Sequence, residues 1–80
     1  MPQWTVIVEI DPGLEDAARE AAMDVVSRLV KDADAELAPR SGGSLVAFTS
    51  GRDSADRLAA AARATPAVAA AYVKPPEALP

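Results

Sequence analysis

The sequence predicts an α+β domain in which a four-stranded antiparallel sheet carries two helices on one face. Three observations predict it. Apolar residues alternate in four short segments, they recur at helical spacing in two longer ones, and Gly- or Pro-bearing breaks separate most of these. The order of segments is βαββαβ. Eighty residues make one domain, and a chain of this size buries only roughly 60% of the surface its unfolded form exposes, so its margin of stability is thin.

Trp4, Val6, Val8 and Ile10 alternate with Gln3, Thr5, Ile7 and Glu9, a period of two that marks a first strand with its even positions inward. Asp11-Pro12-Gly13 follows. Asp is a good N-cap and Pro suits the first helical position, so a helix is expected over 14–31. Its buried stripe reads Leu14, Ala18, Ala21 or Ala22, Val25 and Leu29. Glu15 with Arg19 and Asp24 with Arg28 are i,i+4 pairs on the outer side. The run Asp32 to Asp34 ends this helix. Ala35, Leu37 and their neighbours form a short second strand that Pro39 stops or confines to a sheet edge.

Arg40-Ser41-Gly42-Gly43 reads as a hairpin turn, because paired glycines supply the positive φ that such turns need. Positions 44–49 form the third strand. Ser50-Gly51-Arg52-Asp53 has the Ser-x-x-acid form of a helix start, and Ala55, Leu58, Ala59 and Ala62 give the second helix its buried stripe. Thr65-Pro66 stops it, since the residue before Pro is driven out of the α region. Positions 68–73 are the fourth strand. This order of elements is that of the ferredoxin-like plait. Residues 1–74 are assigned to that domain and residues 75–80 to an extended Pro-rich C-terminal tail.

Composition excludes much chemistry. There is no Cys and no His, so neither a disulfide framework, a thiolate metal site nor an imidazole base is available. Ser27, Ser41, Ser44, Ser50 and Ser54 lack a His to activate them, and Lys31 and Lys74 sit in polar settings. The chain is expected not to be an enzyme and to need no cofactor. A net charge of −4 with no basic stripe argues against nucleic acid and anionic membranes as partners. No apolar run reaches the roughly 20 residues of a membrane span. Met1-Pro2-Gln3-Trp4 has neither the basic nor the apolar region of a signal peptide. The expected location is cytoplasmic for the chain as it stands, and extracellular if it is cut from a longer precursor.

Two clusters offer alternatives. Asp32, Asp34 and Glu36 carry the oxygens a hard cation wants, but lack the loop glycine and terminal Glu of an EF-hand, and read more simply as a solvated edge. Arg40-Ser41-Gly42-Gly43-Ser44 offers backbone N–H groups to a phosphate. It lacks the spacing and Lys of a Walker A loop and joins two strands, so a turn accounts for it.

The last third of the chain carries a resemblance. Leu45-Val46-Ala47-Phe48-Thr49, a helix ending at Ala64, Thr65-Pro66-Ala67-Val68 and Tyr72-Val73-Lys74-Pro75-Pro76 resemble the propeptide or inhibitor domain of subtilisin-like serine proteases. The first strand and the βαββαβ order match that family as well. Thr65 and Lys74 stand where acids are usual, and Ala69-Ala70-Ala71 lengthens the last strand. The resemblance implies a protein that inhibits, or assists the folding of, a subtilisin-like protease. The helix-free sheet face would pack on the protease and the tail would lie in the substrate groove. The partner-binding residues would then be Ile7, Val46, Phe48, Tyr72 and Lys74 with Pro75, Pro76, Glu77, Ala78, Leu79 and Pro80, Leu79 being the expected anchor. The alternative is a regulatory or homo-oligomerisation module without protease contact, in which a second copy covers Phe48 and Ile7 as a homodimer.

Overall fold

A computed structural model describes residues 3–38 and 44–76. The strands are β1 (Trp4–Ile10), β2 (Glu36–Leu37), β3 (Ser44–Thr49) and β4 (Val68–Lys74), and the helices are α1 (Asp16–Asp32) and α2 (Arg52–Arg63). The sheet order is β2-β3-β1-β4, with every neighbouring pair antiparallel. Each helix therefore links two strands that are not neighbours, as the ferredoxin-like plait requires. Both helices send their buried residues to the same side, where they meet the inward residues of the strands in one core. Among the described residues no helix is long and apolar enough to cross a membrane.

The core is built of small and medium aliphatic side chains. Its largest fully buried members are Leu45, Leu58, Val6, Val8, Val26 and Val30. Val6 lies opposite Ala47 and Val73, and Val8 opposite Leu45 and Ala71, so the alternation in β1 is answered on both flanks. In α2 the stripe of Ala55, Leu58, Ala59 and Ala62 is buried as the spacing predicts. Three of those four are Ala, and the absence of longer side chains lets the helix backbone lie close to the sheet.

The first helix departs from expectation in start and phase. Asp11 does not cap it. The Asp11 carboxylate accepts the Gly13 N–H at 2.9 Å and its carbonyl accepts the Leu14 N–H at 3.3 Å. The Asp-Pro-Gly segment is thus spent on a turn of its own, and the helix begins after an extended Glu15 that makes no side-chain cap bond. Ala22, Met23, Val26 and Val30 are buried, while Ala18 and Ala21 are exposed and Val25 is 42% exposed. The centre of the stripe is rotated by one residue, from Val25 and Leu29 to Val26 and Val30. Ala22, one of the two residues expected at its position, is buried, and Leu14 and Leu29 pack partly buried against the core. Leu14 lies outside the helix and cannot set its phase, and apolar residues so dense along this segment fit two adjacent stripes equally well. Arg19 reaches Asp16 at 3.7 Å and donates to the carbonyls of Pro12 and Leu14 at 3.5 and 3.4 Å, which ties the preceding turn to the helix.

The end of α1 follows a Schellman pattern. The Ala35 N–H bonds the Val30 carbonyl, and the Asp34 N–H bonds that of Lys31. Asp34 occupies the left-handed position, with φ 59°, where Gly is usual. At α2, Ser50 is not the cap. Gly51 takes that position without a side-chain bond, and the buried Thr49 hydroxyl donates to the Gly51 carbonyl at 2.9 Å. The helix closes with the Thr65 hydroxyl on the Ala61 carbonyl, and a turn from Thr65 to Val68 leads into β4.

The run Ala69-Ala70-Ala71 holds a β-bulge. Glu9 pairs with Ala70 and Ile10 with Val68, so Ala69 is the extra residue. Simple alternation would turn Ala69 inward beside Ile10. The bulge instead brings Val68 onto the core and leaves Ala69 exposed. On the edge strand β4 the Arg63 guanidinium donates to the Ala71 carbonyl at 2.9 Å. The predicted turn at Arg40-Ser41-Gly42-Gly43 lies outside the described residues.

Candidate functional site: the helix-free sheet face

Because side chains alternate along a strand, the residues left over from the core occupy the other face in rows. Across the middle, Ala38 bonds through its N–H to the Val46 carbonyl at 2.8 Å, Val46 lies opposite Ile7, and Ile7 lies opposite Tyr72. The next row runs Glu36, Phe48, Thr5, Lys74. A third holds Ser44, Glu9 and Ala70. Strands lie about 4.8 Å apart, so facing side chains in a row are within reach of one another, and cross-strand pairs of this kind contribute about 0.2–1 kcal/mol each.

The sheet thus assembles five of the residues singled out in the sequence, Ile7, Val46, Phe48, Tyr72 and Lys74, on one surface. Ile7, Val46 and Phe48 are half-buried by one another, and Tyr72 is 40% exposed. None of these four apolar residues belongs to the core under the helices. The strand runs to Lys74, one residue beyond its expected end and immediately before the tail expected from Pro75. Pro75 is exposed and Pro76 half-buried. Glu77, Ala78, Leu79 and Pro80 lie outside the described residues.

A cleft of about 400 Å³ at the end of the sheet, lined by Trp4, Arg52, Asp56, Val73 and Pro75, was not foreseen. The Arg52 guanidinium stands 6.0 Å from the centre of the Trp4 ring and 3.6 Å from the Asp56 carboxylate. Three elements far apart in sequence meet here, so no local motif could have announced it. It opens on the helix side, next to the point where the tail leaves the domain. A second cleft of about 320 Å³, lined by Glu9, Ile10, Pro12, Ser44 and Ala69, lies at the opposite end.

Other polar groups are scattered. The Ser27 hydroxyl is buried without a hydrogen-bond partner, and Lys31 in the last turn of α1 and Ser50 before α2 lie on the surface. Asp32, Asp34 and Glu36 follow the path from the helix end into β2. Among the described residues no three carboxylates gather as a metal-holding group. No protein-family model matches the chain, and no curated protein is detectably similar to it in sequence.

Proposed function

We propose that this chain is a non-catalytic protein-binding domain that docks through its helix-free sheet face. On the resemblance of residues 45–76 to subtilisin propeptides, the partner is a subtilisin-like serine protease that the domain inhibits or helps to fold. The observation that carries this reading is the apolar row Val46, Ile7, Tyr72 with Phe48 beside it. A partner covering that row removes apolar area from water, worth about 25 cal/mol per Å². The backbone beneath is a hydrogen-bonded sheet, so little ordering entropy opposes docking.

Residues 75–80 complete the mechanism. Pro75 and Pro76 fix φ at the start of the tail, which lowers the cost of laying it in a substrate groove. Leu79 fills a specificity pocket, and Lys74 fixes where the tail leaves the sheet.

The test is a titration of the chain into subtilisin with peptide hydrolysis as the readout, beside a copy truncated after Val73. Competitive inhibition by the full chain, lost on truncation, is the expected result. Steady hydrolysis at saturating full-length chain would remove the protease from the reading.

A further inference from the structure

We propose that in the absence of another partner the open sheet face is covered by a second copy of this chain, around a two-fold axis that runs parallel to the strands between β1 and β3. The inference rests on the open face as a docking surface and not on the protease as its partner.

The rows of that face are self-complementary about this axis. Rotation brings β4 of one copy over β2 of the other and β1 over β3. In the row Glu36, Phe48, Thr5, Lys74 the cation at one sheet edge then lies over the acid at the other edge, twice by symmetry. In the middle row, Ile7 lies over Val46, and the protruding Tyr72 lies over Ala38. Phe48 lies over Thr5. Large side chains meet small ones at both aromatic positions, which is what close packing of two faces needs.

Stacked sheets sit about 10 Å apart with strand directions within about 30°. The long side chains of Lys74 and Glu36 span that gap at the rim, whereas the shorter apolar residues fill the middle. A rotation about an axis perpendicular to the strands instead sets Lys74 over Ala70, where no acid lies directly opposite it. Among the described residues the proposed axis leaves one unfavourable meeting, Glu9 near its own symmetry mate, in the end row where water reaches both carboxylates.

Self-association also gives the face a second role. A surface that must later meet a protein partner is kept from water and from unspecific contacts while the chain is free, and partner binding then competes with the dimer.

The experiment is sedimentation equilibrium of the full chain, of Lys74→Glu, of Glu36→Lys, and of the doubly exchanged variant. Circular dichroism confirms that each is folded, as expected for substitutions at exposed positions. The unsubstituted chain should dimerise, each single reversal should weaken the dimer about tenfold because two contacts turn repulsive, and the double exchange should restore it. Glu9→Gln should tighten it. A monomer throughout the concentration range, a dimer indifferent to either reversal, or a double exchange without rescue would each overturn the proposal. A monomer that still inhibits subtilisin defeats the dimer alone, and a charge-dependent dimer that leaves hydrolysis untouched defeats the protease reading alone.

Discussion

On the inner face of the sheet Val6, Val8, Leu45 and Ala47 are at most 1% exposed, whereas Ile7, Val46 and Phe48, one residue along in the same strands, are only half-buried and Tyr72 is 40% exposed. The two faces also differ in the size of what they carry. The inner face meets Ala55, Leu58, Ala59 and Ala62 of α2 and Met23, Val26 and Val30 of α1, and no ring is among these buried core residues. Two of the three aromatic residues, Phe48 and Tyr72, sit on the uncovered face, and Trp4 sits at the sheet's end. Trp4 packs against the edge of the core, whereas Phe48 and Tyr72 are left on the open face. On the proposed reading the inner face serves stability and the outer face serves recognition.

That division predicts unequal effects of similar substitutions. The largest belongs to Leu45→Ala, which should cost about 2–5 kcal/mol in urea denaturation through transfer and cavity terms. Val46→Ala, its neighbour on the other face, should cost less than about 1 kcal/mol; equal losses would break the contrast. Next comes Ala59→Leu, which overfills the helix–sheet gap and should cost about 1–3 kcal/mol. The same change at the exposed Ala60 should stay within about 0.5 kcal/mol. Tyr72→Ala should lower the melting temperature little while weakening any docked complex more than about tenfold, as removal of a central aromatic contact does.

The smallest change acts between the faces, where α1 hands over to β2. Asp34→Gly relieves the left-handed backbone and removes a carboxylate from a helix C-terminus. It should raise stability by about 1 kcal/mol, measured by the same denaturation, and leave docking unchanged. A loss of stability would mean that Asp34 serves another role.

Much of this was legible in the chain, for definite reasons. Strict alternation in β1 and β3 leaves one choice of face, and the four-residue stripe in α2 has no rival. The apolar rows could therefore be anticipated from Ile7, Val46 and Phe48 before the strands were paired. The phase of α1 was only partly legible, because Ala18, Ala21 and Val25 form a stripe as regular as that of Ala22, Val26 and Val30. The sequence left Ala21 and Ala22 open, and only contact with the sheet separates the two stripes. Nor were the caps. Asp11 had two uses for its carboxylate and took the turn, and Ser50 lost its place to Gly51. The bulge at Ala69 was hidden by three identical residues, and the Trp4 cleft depends on β1, α2 and β4 meeting at one end of the sheet.

The central claim is that the uncovered face, and not the outer row of α1 with its exposed Val25, is where partners dock. Amide NMR tests it most directly. A labelled chain is titrated with unlabelled chain and, separately, with subtilisin whose catalytic serine has been replaced. Shifts should gather at Thr5, Ile7, Val46, Phe48, Tyr72 and Lys74 in at least one titration, with the amides of α1 unmoved. Shifts centred on Ala18, Ala21 and Val25, or open-face amides silent in both titrations, would contradict it.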